Sequence, residues 1–140
     1  MLTQIVYTSV AIPEIQNKDL YEILTTAVDK NGQHGITGFL VYNDGKFRQV
    51  IEGDDNDIQQ LYKNIVEDER HTVCEKNIER QIIEREFPIW AMGFCPVKNS
   101  KISDFEKDNL AVFPTDMFDE VQHNVTSAVQ LIKDFIKSGS

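Results

Sequence analysis

Two polar side chains, Tyr7 and Gln49, occupy strand positions where the sequence pattern calls for apolar residues. Strand side chains alternate between the faces of a sheet, so Gln49 projects to the same side as Phe47 and Ile51. Tyr7 follows Ile5 on one face of the first predicted strand in the same way. A buried amide or phenol must find hydrogen-bond partners, because each unmet group costs about 1–3 kcal/mol. Since a glutamine amide both donates and accepts, this pair could exchange hydrogen bonds with each other or with a ligand.

Tyr7 and Gln49 can be interpreted in two ways. In the first, Gln49 and Tyr7 bond to each other or to the backbone inside an ordinary core, as most buried polar groups do. In the second, they line a pocket for a planar ligand with a polar edge. Trp90, Met92 and Phe94 alternate along the last predicted strand and would share one of its faces, as core or as pocket wall. Composition does not choose between these interpretations.

The other reactive residue types form no recognised catalytic or metal-binding pattern. His34, His71 and His123 are scattered without the spacing of metal ligands. Cys74 and Cys95 form no CxxC pair, and no Ser-His-Asp or Cys-His arrangement can be assembled. The sequence therefore predicts a protein without enzymatic activity and without a metal site.

The charge and hydropathy of the chain exclude several classes of partner. Its net charge is −9 over 140 residues, and such a surface repels a phosphate backbone, so direct nucleic-acid binding is not expected. No apolar run approaches the roughly 18 residues that span a bilayer, and the first residues do not resemble a secretory signal. We therefore expect a cytoplasmic protein that does not bind membranes.

Hydrophobic periodicity predicts the elements that would position these side chains. The predicted strands cover residues 5–10, 35–42, 46–51, 76–85 and 90–97, and the predicted helices cover residues 18–30 and 54–69. Asn31-Gly32 is the expected end of the first helix, and Asp44-Gly45 between two apolar runs predicts a hairpin. The order β-α-β-β-α-β-β predicts an α+β, ferredoxin-like fold, in which an antiparallel-dominated sheet carries two helices on one face.

The pattern changes after about residue 100. A short helix is predicted over residues 103–110 and a longer one over residues 117–137, with Pro114 between them. This tail is too short to form a second domain, and a sheet with helices on one side leaves its other face to be covered. We therefore predict a domain over residues 1–97 and a C-terminal helical extension over residues 98–140 that caps the open face.

Five ordered sequence blocks resemble the BLUF family of flavin-binding blue-light sensors, over about residues 2–96. The blocks are Ile-Val-Tyr-Thr-Ser at residues 5–9, Asn31 with Gly-Ile-Thr-Gly-Phe-Leu at 35–40, Gly-Lys-Phe-Arg-Gln-Val-Ile-Glu-Gly at 45–53, Asp-Glu-Arg-His at 68–71 and Phe-Pro-Ile-Trp-Ala-Met-Gly-Phe at 87–94. A single block would be a weak match, but five in the family's order are specific. With its short helical tail, the chain resembles the stand-alone short BLUF proteins.

The resemblance implies a bound flavin, FAD in most members, with FMN or riboflavin also acceptable, and its ring would lie between the two helices. It implies that Tyr7 is the photochemical electron donor and that Gln49 lies between the phenol and flavin N5 and O4. The other implied flavin contacts are Asn31 at the pyrimidine edge, Arg70 and His71 near the ring and its side chain, and Ile23, Phe47 and Ile65 as apolar walls. Trp90 and Met92 would belong to a mobile strand that carries the signal away, and the resemblance leaves open which of them is the inner residue.

These implied roles predict a photoreceptor that signals through a changed hydrogen-bond pattern. Its expected partners are an unidentified signalling protein, bound differently in the dark and in the light, and further copies of itself in a homo-oligomer. The C-terminal helical cap is the expected output element. One alternative is a flavin-dependent redox protein, which requires a substrate route to flavin N5, and the other is a non-photoactive ferredoxin-like interaction module.

Overall fold

A computed structural model describes residues 1–98, 102–105, 110–119 and 127–138 of the chain. The elements are β1 (Leu2–Ala11), α1 (Asn17–Gln33), β2 (Thr37–Asn43), β3 (Lys46–Asp54), α2 (Asp55–Glu67), β4 (His71–Ile82), β5 (Gly93–Pro96), a 3-10 turn (Ile102–Phe105) and α3 (Ala128–Lys137). None of the helices in these described ranges is long and apolar enough to cross a membrane.

The five strands form one mixed sheet in the order β4-β1-β3-β2-β5. All neighbouring pairs are antiparallel except β2 and β5, which run parallel. The β2–β3 hairpin turns at Asp44 and Gly45, whose φ angles of 50° and 81° are those of a type I′ turn. This confirms the predicted hairpin. In the register of β1 and β3, Tyr7 lies directly opposite Gln49.

Each face of the sheet carries its own apolar core. On one face, Leu20 and Leu24 of α1 and Ile58 of α2 pack with Ile5 and Ile51 of the central strands. This arrangement confirms the predicted α+β, ferredoxin-like fold with two helices on one side. Because β3 alternates, Phe47, Gln49 and Ile51 all belong to this helix-covered face, and the cleft described below opens here.

The opposite face is covered by α3. Ala128, Ile132 and Ile136 of this helix pack with Val6 and Val50 of the sheet, so the predicted cap is present. The helix is shorter than predicted, because it begins after Ser127, whose Oγ accepts a hydrogen bond from the backbone N–H of Gln130 at 3.1 Å.

The rest of the extension departs from the prediction. Of the predicted 103–110 helix, residues 103–105 belong to the 3-10 turn at Ile102–Phe105, and residues 106–109 lie outside the described part of the chain. Of the predicted 117–137 helix, residues 117–119 are in turns and residues 120–126 lie outside the described part. The backbone around Val112 instead adds a short bridge to β5, through the Phe94 N–H to the Ala111 carbonyl at 2.9 Å and the Phe113 N–H to the Phe94 carbonyl at 2.8 Å.

The predicted end of α1 was wrong. Asn31 and Gly32 lie inside its last turn, since both residue types can adopt helical angles, and the helix continues to Gln33. The left-handed backbone that stops a helix falls at Gly35, with a φ of 65°. Asn31 is therefore carried by the last turn of a helix that lines the cleft.

The last two strands also differ from the prediction. β4 begins at His71 because it pairs along the whole of β1, from Ala11 opposite His71 to Leu2 opposite Ile82. β5 is only four residues long, so residues 83–92, here called the connecting loop, hold Trp90 and Met92 outside any strand. The predicted common face for these two residues is wrong, because the chain bends at Ala91 and Met92 and strand alternation does not apply. Met92 packs in the helix-covered core, and Trp90 packs on the α3 side.

Candidate functional site

A buried hydrogen bond joins the two polar strand residues. The Tyr7 hydroxyl donates to Gln49 Oε1 at 2.5 Å, and the two residues are only 3% and 6% exposed. Burial raises the pKa of the Tyr7 phenol far above its ordinary value, because a phenolate there would lose its hydration. Tyr7 is therefore protonated at physiological pH and acts as the donor of this bond.

The other end of the Gln49 amide contacts a sulfur atom. Gln49 Nε2 donates to Met92 Sδ at 3.3 Å, and Met92 is 2% exposed. The amide thus spans from β1 to the connecting loop, with its oxygen toward Tyr7 and its nitrogen toward Met92. Since a thioether accepts hydrogen bonds but has no proton to donate, only the amide nitrogen can make this second contact as a hydrogen bond.

A cleft of about 220 Å³ opens between α1 and α2 over the sheet. Eight of the ten residues predicted to bind the flavin or to act beside it line this cleft. They are Tyr7, Ile23, Asn31, Phe47, Gln49, Ile65, Arg70 and His71. Trp90 and Met92 do not line the cleft, because Met92 packs in the helix-covered core and Trp90 packs on the α3 side of the sheet. Sequence reasoning missed several further lining residues: Thr26, Ala27, Lys30, Leu40, Leu61, Asn64 and Asp68. Helical spacing from Ile23 and Ile65 would have found most of them, because positions three and four residues apart share a helix face.

Asn31 connects the cleft to the connecting loop. Its side chain is 2% exposed, and Nδ2 donates to the carbonyl oxygen of Ala91 at 3.0 Å. Its backbone carbonyl accepts from His34 and Ile36 as α1 ends. The two cleft amides, Asn31 and Gln49, therefore hold adjacent residues of the same loop.

Arg70 is held at the mouth of the cleft by Asp68. The guanidinium makes a bidentate contact with this carboxylate, with Nη2 to Oδ2 at 2.6 Å and Nε to Oδ1 at 3.0 Å. The hydrogen bond raises the pKa of Arg70 and lowers the pKa of Asp68, since each charge stabilises the other. Both side chains are about one third exposed, so the pair fixes the direction of Arg70 more than it adds stability.

His71 is a wall of the cleft whose two ring nitrogens are both engaged within the protein. Nε2 lies 2.5 Å from the carbonyl oxygen of Ile65, and Nδ1 lies 2.8 Å from Ser9 Oγ. A carbonyl only accepts, so Nε2 carries the proton and, in the neutral ring, Nδ1 accepts from the serine hydroxyl. The ring stands edge-on to Tyr7 and to Phe47, with 6.2 Å between centroids in each case. His71 thus joins the end of α2 to β1 and positions the tyrosine.

The cleft has the chemistry of a site for a planar ring with a polar edge. Its walls are apolar side chains of the two helices and β3, its buried end presents the amides of Asn31 and Gln49, and its mouth carries Lys30 and Arg70. Among the described residues, no group of three or more histidine, cysteine, aspartate or glutamate side chains is placed to hold a metal ion.

Comparison with known proteins identifies the family. The family described as "BLUF: Sensors of blue-light using FAD" matches residues 2–93. The photoactivated adenylate cyclase subunit beta of Euglena longa is 38% identical over 87 residues, which cover 62% of this chain and 10% of that protein. The blue light- and temperature-regulated antirepressor BluF of Escherichia coli (strain K12) is 32% identical over 71 residues, which cover 51% of this chain and 18% of that protein. The chain thus spans less than a fifth of the length of either curated relative.

Solved structures agree with this assignment. The dark state of the BLUF protein BlrB has a TM-score of 0.67 and 31% identity, covering 69% of this chain and 74% of BlrB. The ground state of BlsA has a TM-score of 0.69 and 27% identity, covering 99% of this chain and 87% of BlsA. Three observations agree: the matched family region, the shared fold and the Tyr7–Gln49 hydrogen bond beside the cleft. The chain therefore belongs to the BLUF family of flavin-binding blue-light sensors.

Proposed function

We propose that this protein holds FAD in the cleft between α1 and α2 and reports blue light to a protein partner through a rearrangement of Gln49. The observation that carries the proposal is the buried Tyr7–Gln49 hydrogen bond at the edge of the cleft, continued by Gln49 to Met92. Two successive hydrogen bonds thus join Tyr7, the Gln49 amide and Met92 of the connecting loop.

The lining of the cleft supports an isoalloxazine ring as the ligand. Ile23, Phe47 and Ile65 offer apolar surface to a flat ring, and the Asn31 and Gln49 amides offer donors and acceptors to its polar edge. Lys30 at the mouth is a cation suited to the phosphates of FAD or FMN, and Arg70 beside it shares its positive charge with Asp68. The family description supports FAD, and riboflavin would present the same ring to the same amides.

The flavin, when bound, supplies the absorption of blue light and an excited state that accepts an electron. Tyr7 is the donor, and its proton already lies on the bond to Gln49 Oε1, so proton loss from the phenol has a direct acceptor. After the electron and the proton have returned to Tyr7, nothing is consumed, and only the orientation or tautomer of the Gln49 amide differs.

The chemistry of Met92 makes the two amide orientations inequivalent. A rotated amide turns its oxygen toward Met92 Sδ, and these two acceptors cannot form a hydrogen bond. Rotation of Gln49 therefore ends the 3.3 Å contact to Met92, which is one of several contacts that hold the connecting loop. This loss gives the photochemical event a mechanical consequence outside the cleft.

The output of the sensor is proposed to be a protein–protein interaction. The net charge of −9 disfavours direct contact with nucleic acid, and the Escherichia coli relative is an antirepressor by name. A tenfold difference in partner affinity between the dark and lit states needs only about 1.4 kcal/mol of coupling. The predicted self-association is testable by sedimentation of the dark and illuminated protein.

The decisive experiment is an absorption spectrum of the flavin-loaded protein in the dark and after a blue flash. The proposal expects a small red shift of the flavin bands that relaxes thermally without bleaching. Gln49→Leu should retain flavin and lose this shift, because leucine cannot exchange hydrogen bonds. The exposed Gln81→Leu is the matched control and should shift normally. A normal shift in Gln49→Leu would remove the amide from the mechanism.

A further inference from the structure

The connecting loop is anchored at its end by both amides of the cleft. Asn31 Nδ2 donates to the Ala91 carbonyl at 3.0 Å, and Gln49 Nε2 donates to Met92 Sδ at 3.3 Å. Any change in the bonding of Gln49 therefore acts directly on the last residues of this loop.

The middle of the same loop is anchored to β3 by a buried carboxylate on the other side of the sheet. Glu52 is fully buried and accepts from the backbone N–H groups of Glu86 at 3.0 Å and Phe87 at 2.7 Å. It also accepts from Gln4 Nε2 at 2.7 Å. Glu52 lies three residues after Gln49 on β3, so the two side chains project to opposite faces. The loop thus runs from the α3 side of the sheet to the cleft side.

Glu86 connects this loop to the N-terminus of α3. Its carboxylate accepts from the backbone N–H groups of Ala128 at 3.2 Å and Val129 at 3.4 Å, the first two residues of the helix. Gln4 Nε2 at 2.7 Å and Arg80 Nη2 at 3.0 Å donate to the same carboxylate. Burial opposes its ionisation, but these donors hold the pKa of Glu86 below its usual range, so the group is a carboxylate at neutral pH. A negative charge at this place also interacts favourably with the helix dipole.

A second anchor holds α3 farther along and does not involve the loop. Arg48 donates from Nη1 to the carbonyl oxygen of Leu131 at 3.0 Å, and its guanidinium lies 5.2 Å from the centroid of the Phe135 ring. The first turn of α3 and the rest of the helix therefore have different hydrogen-bonding anchors, and both parts pack on the same apolar face of the sheet.

We propose that Glu86 is the residue that transmits the state of the cleft to α3. When Gln49 releases Met92, the connecting loop shifts, Glu86 withdraws from the N–H groups of Ala128 and Val129, and the first turn of α3 undocks. This inference rests on the proposed light-driven rearrangement of Gln49. It places the structural response to the cleft at the first turn of α3, where Ala128 and Val129 are buried.

The test is hydrogen exchange of the α3 amides in the full-length, flavin-loaded protein, in the dark and under steady blue light. In the wild type, light should lower the protection of the first turn by about tenfold, equivalent to about 1.4 kcal/mol. Glu86→Gln keeps the size of the side chain but removes its charge and one acceptor oxygen. It should lower dark protection of the first turn and leave a light-induced change of less than about threefold. The exposed neighbour Glu84→Gln is the matched control and should behave as the wild type.

A second variant separates transmission from simple stability of the helix. Ser127→Ala removes the N-cap that bonds to Gln130 but does not touch Glu86, so it should lower dark protection and retain the full light response. Loss of the light response in Ser127→Ala, or its persistence in Glu86→Gln, would overturn the inference. If Glu86→Gln does not fold, the wild-type comparison still decides, because unchanged α3 protection during a normal red shift contradicts transmission through α3. Absence of the red shift itself would instead refute the proposed photochemistry.

Discussion

The energetic link between Tyr7 and Gln49 can be measured with a double-mutant cycle. Tyr7→Phe leaves the buried Oε1 of Gln49 without its 2.5 Å donor, and an unmet buried acceptor costs about 1–3 kcal/mol. Gln49→Leu leaves the Tyr7 hydroxyl unmet and also removes the contact to Met92, so we expect a cost of similar size. The double variant has neither unmet group. Its destabilisation should therefore fall short of the sum of the single effects by about 1–2 kcal/mol, within the range found for directly bonded pairs.

Urea unfolding of the flavin-free protein in the dark provides the assay, because it isolates contacts made by the chain itself. With an m-value of about 2 kcal/mol per molar urea, each single variant should lower the midpoint by roughly 0.5–1.5 M. A control cycle combines Tyr62→Phe with Gln49→Leu. The Tyr62 ring packs edge-on against the Tyr7 ring, with 5.8 Å between centroids, whereas Gln49 forms its hydrogen bond with Tyr7. Single effects that add within about 0.5 kcal/mol for Tyr7 and Gln49 would refute the proposed coupling.

Three further measurements test the packing and the ionisation of the fold. Gly38→Ala should destabilise the protein severely in urea unfolding, because a Cβ there would lie 2.1 Å from a backbone oxygen of β3. Gly32→Ala is the control, because a Cβ at this position of α1 meets open space, and it should stabilise the protein by about 0.5–1 kcal/mol. Ile58→Ala should cost about 2–5 kcal/mol because the side chain is fully buried, and Val66→Ala, at 47% exposure, should cost much less; equal losses would contradict the described core. Burial raises the pKa of Tyr7 in the folded state only, so the unfolded chain loses this proton at a lower pH than the folded protein does. The free energy of unfolding should therefore fall as pH rises above about 10, by up to about 1.4 kcal/mol per pH unit. Tyr7→Phe should flatten that slope between about pH 9 and about pH 11, and an unchanged slope would show that the phenol titrates normally.

Much of the fold and of the cleft was predictable because it depends on local patterns. The Asp44-Gly45 turn needs two positive φ angles, which these residue types tolerate, so a few neighbouring residues are enough to predict the hairpin. Strand alternation places Phe47 and Gln49 on one face whatever the partner strand is. Helical spacing likewise brings Ile23 and Asn31 to one side of α1, and both line the cleft. The family blocks then pointed to the ligand class, which the family match over residues 2–93 supports.

The bounds of the outer strands were decided by pairing. β4 extends to His71 because β1 offers a pairing partner along its whole length. β5 is short because only Gly93–Pro96 pairs with β2. The resulting loop, rather than any local preference of the residues, places Met92 beside Gln49 and Trp90 on the opposite side.

The sequence by itself determined which residues are available for hydrogen-bond exchange, and the tertiary structure decided which of them meet. Gln4 reaches Glu52 across 48 positions and Glu86 across 82, and Asn31 reaches Ala91 across 60. A hydrogen bond depends on distances of about 3 Å between atoms, and such contacts between distant segments exist only after the sheet has set their register. For that reason Tyr7 and Gln49 were identified from their types and positions, whereas the contacts of Gln49 with Met92 and of Glu86 with α3 emerged only from the fold.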